Sequence, residues 1–517
     1  MKKVKVLQPS EIAALIKDGE TIATAGFVGS GSPEALSKAL EKRFLETGSP
    51  RDLTYMYAAG QGNRDGSGSD HFAHEGLVKR VIAGHWNMAP RLGQLAMDNK
   101  IEAYNIPQGV ICHMYRDIAA HRVGTVTHVG LHTFADPRIE GCKLNERTTE
   151  DIVEVINILG EERLIFKTRP IDIVFLRATS ADENGNISME REVCPVDATA
   201  MALAAKNSGG RVYVQVERLV KAGTIDPKLV KIPGILVDAV AVADPEDHPQ
   251  SFGHAYDPTL TGEAVAPDTE SEPLPLSAKK IIGRRAAMEL RENSVVNLGI
   301  GAPEYVSAVA NEEGIGDYIT LTVEGGPVGG IPLGGSQFGA SRNADCYFDQ
   351  NVMFDLYDGG GLDQAYLGLA QADENGNVNV SRFGPRIAGC GGFIDITQNA
   401  KRVYFCGTFT AGGLKTSIKD GKLIIENEGR EPKFIKQVEQ ITFSGNFAAE
   451  KGQPVMYITE RAVFELRKDG VYLTEVAPGI DIKTQIIDVM GFEPKIDGEV
   501  KLMDERIFKD EIMGLKK

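Results

Sequence analysis

Runs of β-branched and aromatic residues, among them Ile173-Val174-Phe175-Leu176, Val212-Tyr213-Val214-Gln215 and Val403-Tyr404-Phe405-Cys406, punctuate the chain. Between them lie segments whose apolar residues recur every three or four positions, as over 33–44 and 277–290. The first pattern predicts strands buried on both faces, the second amphipathic helices. Their alternation predicts an α/β fold of open, largely parallel sheets. In such folds ligands bind at the carboxyl ends of strands, where turns lead into helices.

The pattern stops once, over 263–276, where three prolines and four acidic residues break both periodicities. We read this as a linker dividing the chain into an N-terminal domain, 1–262, and a C-terminal domain, 277–517. The two halves repeat each other. Ala181-Asp182-Glu183-Asn184-Gly185-Asn186 returns unchanged as Ala372-Asp373-Glu374-Asn375-Gly376-Asn377, and the same register aligns Asp172 with Asp363 and Arg211-Val212-Tyr213 with Arg402-Val403-Tyr404. Earlier, Ile22 to Glu34 resembles Val295 to Glu304: an apolar strand, a glycine-rich turn, then Pro-Glu opening a helix. The change of offset places an insertion in the first half, around residues 113–170.

Composition narrows the chemistry. A net charge of -16 opposes nonspecific nucleic-acid binding. No apolar run reaches the roughly 20 residues a bilayer requires, and the start lacks the apolar core of a secretion signal, so a cytoplasmic protein is expected. The six cysteines show no CxxC pairing and read as reduced thiols. The densest basic stretch, Lys279 to Arg285, is either a solvated helix face or a patch that steers anions. Glycine is the one excess: 57 residues, about 11% of the chain against roughly 7% on average.

Those glycines gather at turns. Gly299-Ile300-Gly301-Ala302-Pro303 follows a strand and precedes a helix, so its amides could cradle an anion, although neither GxGxxG nor GxxxxGK[ST] is present. Over 321–339 seven glycines surround one carboxylate, Glu324, at a strand end. A lone glutamate without a neighbouring His or Lys suits a nucleophile better than an acid–base pair. From residue type alone, an exposed loop glutamate is the favoured reading. Asp70, His71, His74 and His85 offer a weak metal pattern without the spacing of paired helical ligands, and no G-x-S-x-G marks a serine hydrolase.

Several of these segments together resemble the family I coenzyme A transferases. Gly26 to Pro33 is similar to the glycine–proline signature of that family's first domain, and Gly299 to Pro303 to its counterpart in the second. Tyr104-Asn105-Ile106-Pro107-Gln108-Gly109 resembles the Pro-Gln-Gly loop, Lys231 to Asp238 a segment closing the first domain, and Gly389-Cys390-Gly391-Gly392 the Gly-x-Gly-Gly turn. The resemblance runs in order along nearly the whole chain. It is nearest to the propionate and acetate CoA-transferase subgroup, in which Val323-Glu324-Gly325 stands where the wider family has Ser-Glu-Asn-Gly.

The resemblance implies Glu324 as nucleophile and Gln108 as the group that holds the carboxylate substrate or orients Glu324. It implies Gly299, Gly301, Ala302, Gly391 and Gly392 as binding coenzyme A, and Gly29, Gly31 and Gly109 as loop or oxyanion positions. It further implies coenzyme A as a co-substrate, no metal or resident cofactor, no nucleic-acid or membrane partner, and a homo-oligomer, with tetramers among the precedents. The implied reaction passes CoA between short-chain acyl-CoAs and acids such as acetate, propionate, butyrate or lactate, through a glutamyl-CoA thioester. An acyl-CoA hydrolase is the alternative. Gln108 also follows a strand before a glycine, which would make it the first half's counterpart of Glu324.

Overall fold

A computed structural model describes residues 3–267 and 273–516; the middle of the proposed linker, 268–272, lies outside the described residues. The chain forms two compact units. The first comprises 1–266, 323–355 and 383–395, and the second 267–322, 356–382 and 396–517. Glu324 therefore belongs to the first unit, although it lies beyond the linker that opens the expected C-terminal domain. The linker's described ends are fastened. Ala266 and Asn343 exchange hydrogen bonds of 2.8 and 3.1 Å, and the Leu274 amide donates to Glu312.

Each unit is built on one sheet, as expected of an α/β chain. In the first, strands run in the spatial order Lys5–Val6, Ala239–Val242, Arg211–Val220, Ile173–Asp182, Thr21–Thr24, Leu53–Tyr57, Val78–Ala83 and Glu102–Asn105, and neighbours are parallel. Ile173–Asp182 is buried along its whole length, and its first four residues form an unbroken apolar run, as a strand covered on both faces requires. In the second unit the order is Ile319–Thr322, Ser294–Leu298, Gln364–Gly368, Val403–Cys406, Val455–Ile458, followed by the strands Ala462–Arg467, Gly470–Val476 and Lys501–Leu502. The first five are parallel, Ala462–Arg467 and Gly470–Val476 follow as an antiparallel meander, and Lys501–Leu502 ends the order parallel to Gly470–Val476. Among the described residues no helix is long and apolar enough to cross a membrane.

The repeat is reproduced atom for atom. The Asp172 carboxylate accepts from the Thr21 amide at 2.8 Å, and Asp363 accepts from Val295 at 2.9 Å. After the same strand, Asp182 Oδ1 accepts from the amides of Asn184 and Asn186 at 2.9 Å, and Asp373 Oδ1 from those of Asn375 and Asn377 at 3.0 Å. Asn186 and Asn377 then accept from Gly234 and Gly445, each at 3.0 Å. A carboxylate that caps its own turn satisfies amides that neither strand can reach. Pairing Thr21 with Val295 shifts the alignment of the early segments by one residue. The insertion in the first half is larger than expected: besides a three-stranded antiparallel sheet formed by Gly124–Thr127, Glu161–Lys167 and Val153–Ile158, it includes the strands Val78–Ala83 and Glu102–Asn105, which have no counterpart in the second unit's order.

The basic stretch is neither a solvated face nor a steering patch. The helix Ala278–Ala287, capped by Ser277, turns Lys280, Arg284 and Arg285 inward, where they are 3%, 1% and 6% exposed. Lys280 pairs with Glu312 at 2.8 Å, and Arg285 with Glu475 and Glu289 at 2.7 and 2.9 Å. Arg284 donates instead to the carbonyls of Arg506, Ile507, Lys509, Asp510 and Glu511. A helical period conceals this, because a buried cation looks the same in sequence as an exposed one. Replacing Arg284 with Met leaves those carbonyls without their donor. It should cost about 3–5 kcal/mol in denaturant unfolding and open 506–511 to limited proteolysis; an unchanged unfolding curve would show that the clasp carries no stability.

Candidate active site

The strand Ile319–Thr322 ends in a tight turn in which the Gly326 amide donates to the Val323 carbonyl at 3.0 Å, and Glu324 stands at its first central position. Glu324 is 8% exposed. Gly326, at φ +131°, is fixed as glycine, because a Cβ there would overlap the Phe348 carbonyl. Gly325 faces Phe27 and Cys194, whose nearest atoms lie 3.4 and 3.5 Å from where a Cβ would be. Gly339 and Gly29 let the following loop close on the first glycine-rich turn: a Cβ on Gly339 would strike the Phe27 ring, and one on Gly29 the Ser336 carbonyl.

A second turn meets the glutamate from the other side. Gly391 donates to the Gly84 carbonyl at 2.7 Å, its own carbonyl accepts from the Gln108 amide at 3.0 Å, and the Ala388 carbonyl accepts from Trp86 at 2.8 Å. Asn105 Oδ1 accepts from Cys390 at 2.9 Å while its Nδ2 donates to Ala83 and Gly84 at 3.0 and 2.6 Å. The turn is thus sewn to the ends of two adjacent parallel strands. A Cβ on Gly392 would lie 3.3 Å from Glu324 Cγ and 3.1 Å from Phe354 Cζ, so the nucleophile candidate rests directly on this backbone.

Gln108 opens the helix Gln108–Ala119 and is 3% exposed. Its Oε1 lies 3.5 Å from the Cβ position of Gly391, and its buried Nε2 has no hydrogen-bond partner among the described residues. A donor desolvated without compensation is costly in a resting protein, and it is available to an oxygen that enters. His85, also buried, packs against Gly60, Gly389 and Gly391; burial, with the charges of Arg64 and Arg386, pushes its pKa down to about 4, so the ring is neutral. The site therefore offers the Glu324 carboxylate, the Gln108 amide donor and glycine backbone, with the buried Asp395 carboxyl packed behind Gly109, and the first three are the equipment of nucleophilic acyl transfer.

Comparison with known proteins agrees with this equipment. Residues 6–243 match the family described as coenzyme A transferase. The chain is 46% identical over 515 residues to the acetate CoA-transferase YdiF of Escherichia coli K12, covering 99% of this chain and 96% of that one. The caffeate CoA-transferase of Acetobacterium woodii is also 46% identical, with 99% and 98% covered. The chain belongs to the family I coenzyme A transferases. A crystal structure of the YdiF acyl-CoA transferase of E. coli O157:H7, a thioester complex with CoA, superposes with a TM-score of 0.93 at 44% identity, covering 99% of this chain and 97% of that one.

In this CoA transferase the first unit brings together Glu324, Gln108, Gly109, Gly391 and Gly392, with Gly29 and Gly31 in the turn that packs on the glutamate's loop. Gly299, Gly301 and Ala302 belong to the second unit, at the carboxyl end of Ser294–Leu298; there Gly299 donates to Tyr366 at 2.8 Å and Gly301 has φ +91° with open space beside it. Gln108 is not the repeat's counterpart of Glu324. Strand neighbours pair Leu321 with Val296 and Tyr55 with Ile22, so Glu324 corresponds to Ala58, while Gln108 follows an inserted strand. Sequence reasoning missed Gly84, Phe354 and Asp395, and offered His85 only within the weak metal pattern. The one local signal was the position of Asp395, three residues past the Gly-x-Gly-Gly turn; the others act through a fold their neighbours do not announce.

Two histidines of the weak metal pattern, His71 and His74, have glutamate partners. His71 is held between Glu41 on Nδ1 and Glu34 on Nε2 at 2.5 and 2.7 Å, and His74 donates to Glu41 at 2.7 Å. Burial opposes the charge on His71, but the two glutamates outweigh it and raise its pKa to about 9. The cysteines are thiols: burial pushes Cys194 up to about 12 and Cys390 well above the usual range.

Two predictions follow the geometry. A folded-state pKa of about 9 on His71 means its contribution, on the order of 2–3 kcal/mol, is complete below the unfolded value near 6.5 and is lost as pH rises through about 9; replacing His71 with Gln should flatten the fall of Tm across that window. A Cβ at Gly109 would overlap Asp395 Oδ1 and lie 2.6 Å from Phe354 Cδ1, whereas Gly93 has open space. Gly109→Ala should therefore lower kcat/KM for CoA transfer about 100-fold, with Gly93→Ala unaffected, and equal activities would show that the packing around Gly109 tolerates the methyl.

Proposed function

We propose that this enzyme transfers CoA reversibly between short-chain acyl-CoAs and free carboxylates such as acetate, propionate, butyrate or lactate, with Glu324 as covalent carrier. The observation that carries the reading is the placement of Glu324: nearly buried, on a glycine turn, its Cγ against Gly392, in the same unit as the unpaired Gln108 amide. Glu324 attacks the thioester carbonyl, giving a mixed anhydride and CoA thiolate. The thiolate then attacks the glutamyl carbonyl, giving a glutamyl-CoA thioester and free acid. The incoming acid reverses both steps, so no proton has to move in either bond exchange.

Each step passes through a tetrahedral oxyanion. Gln108 Nε2 and the amides near Gly391, Gly392 and Gly109 serve as donors, a good one contributing about 3–4 kcal/mol. Burial excludes water that would hydrolyse the anhydride. Gly299, Gly301 and Ala302 bind part of coenzyme A, and Gly29 and Gly31 shape the loop that encloses the glutamate. The preference for short acids is supported by aromatic crowding at the turn, where Phe27 and Phe338 lie 5.8 Å apart between centroids and Phe354 touches the other face. The enzyme works as a homo-oligomer in the cytoplasm, with no resident cofactor or metal.

Incubation with propionyl-CoA should raise the intact mass by one CoA less water, and Glu324→Gln should abolish the adduct. Glu324→Asp, which withdraws the carboxylate by roughly 1 Å, should lose about 100-fold in rate. Full transfer by Glu324→Gln without an adduct would rule out the covalent route, and thiol release independent of added acetate would mark a hydrolase.

A further inference from the structure

Because the chain repeats, the carboxyl ends of its parallel strands can be compared position by position, and this is the edge at which such sheets bind ligands. The matched main-chain bonds from Ala25 to Phe175 and from Gly299 to Tyr366, at 3.4 and 2.8 Å, align Ala25 with Gly299. The register that aligns the hexapeptides sets Arg177 against Gly368 and Val216 against Gly407. Three adjacent strand ends that carry side chains in the first unit are therefore all glycine in the second. Arg177 fills its place, paired with Glu192 at 2.9 Å and 4% exposed. At Gly368 a Cβ would meet nothing within 4 Å, and Gly301, beyond the neighbouring strand, also has open space beside it.

One ammonium reaches this edge. Lys433 follows the short strand Glu431–Pro432 and sends Nζ to the Leu369 carbonyl, directly after Gly368, at 3.1 Å and to Thr408 Oγ1 at 3.3 Å. Gly407 makes room for it, since a Cβ there would lie 3.4 Å from Nζ. An ammonium has three donors. Among the described residues the third finds no acceptor, and no carboxylate lies within ion-pair distance of Nζ. Glu460, whose charge acts on it, is engaged elsewhere: it accepts from Arg461 Nε at 2.7 Å and from the Phe409 amide at 2.8 Å. Burial accordingly lowers the Lys433 pKa against the opposing charge of Glu460. A partly buried cation held by two neutral oxygens is costly in a resting protein, and it is available to an anion that enters.

We propose that Gly301 and Gly368 floor a trough in the second unit that takes the phosphate-bearing arm of coenzyme A, and that Lys433 closes the trough as a phosphate ligand. Ser294–Leu298, Gln364–Gly368 and Val403–Cys406 are consecutive in the sheet, so the two ends of the trough are two strand spacings, about 10 Å, apart. One extended ligand spans that distance. Glycine lets it lie against the main chain, and a compact ammonium meets a phosphate as a point charge. No motif announces Lys433, because the hairpin of Lys415–Lys419 and Lys422–Asn427 separates it in sequence from the glycine it serves. The inference rests on the reading that Gly299, Gly301 and Ala302 hold part of coenzyme A; it does not require Glu324 to be the carrier.

Calorimetric titration of the full chain with free CoA tests the trough directly. Lys433→Gln should raise Kd about 30-fold and Lys433→Arg no more than about fivefold. Gly368→Val, whose Cβ meets no protein atom within 4 Å, should raise Kd at least about tenfold with Tm unchanged. A wild type that binds no CoA, or a Kd that either Lys433→Gln or Gly368→Val leaves unaltered, would overturn the proposal. Propionyl-pantetheine lacks every phosphate, so its kcat/KM should be the same in wild type and Lys433→Gln. An equal loss with it and with propionyl-CoA would make Lys433 a structural residue and also overturn the proposal. Titration with 3′-dephospho-CoA identifies the phosphate: a Lys433→Gln penalty that persists marks the diphosphate, and one that vanishes marks the 3′-phosphate. The two readings fail separately. A wild type that binds CoA but forms no adduct on Glu324 removes the carrier and leaves the trough, whereas a normal adduct with undiminished CoA binding by Lys433→Gln does the reverse.

Discussion

Close approach of backbone to backbone is the condition on which everything at this site depends. The turn 388–392 lies against the strand end 83–86 at hydrogen-bonding distance, and at Gly389 a Cβ would fall 2.9 Å from both His85 Cα and the Trp86 nitrogen. Because no side chain separates these layers, the Gly391 carbonyl can accept from Gln108 and the Gly392 backbone can support the glutamate. Main-chain donors positioned in this way need no reorganisation when charge develops on an oxygen, and in a dry site they are stronger than in water. The glycine excess is thus the material of the proposed catalytic surface.

The scaffold beneath is symmetric, and the chemistry on it is not. Both units repeat a five-strand parallel order with an aspartate that receives the neighbouring strand and an Asp-Asn turn that caps its exit. At the position corresponding to Glu324 the first unit has Ala58. The first unit instead adds two strands at its edge, and these carry Gly84, His85 and Gln108. The duplication supplied two sheets; the additions supplied the proposed donors, and the excursions 323–355 and 383–395 carried the glutamate and the glycine turn to the same unit.

The alternation of buried runs and amphipathic segments made the α/β class legible, and the repeated hexapeptide exposed the duplication, because turn chemistry is local. The glutamate stood out as a lone carboxylate among glycines, but only the family resemblance gave it a role. What the sequence could not convey was partnership at a distance. Nothing near Gly109 indicates Asp395, 286 positions later in the numbering, and nothing near Lys280 or Arg284 indicates Glu312 or the carbonyls of 506–511. Helical periodicity identifies a face but not its covering, so a buried, fully engaged basic cluster reads as an exposed one. The apparent kinship of Gln108 with Glu324 failed similarly: both follow a strand, but only pairing shows which strand.

The stitched connectivity of the first unit sets an order of events during synthesis. The strand ends at 83–86 and 102–105 leave the ribosome long before the turn that docks on them, since Asn105 and its partner Cys390 are separated by 285 residues. Much of the second unit, 267–322 and 356–382, is made in between. A nascent first unit therefore waits with the amides and carbonyls of its catalytic floor open to solvent, and it becomes an enzyme only after the chain has left it and returned twice. The second unit waits as well, for its buried guanidinium meets its carbonyls more than 220 residues downstream.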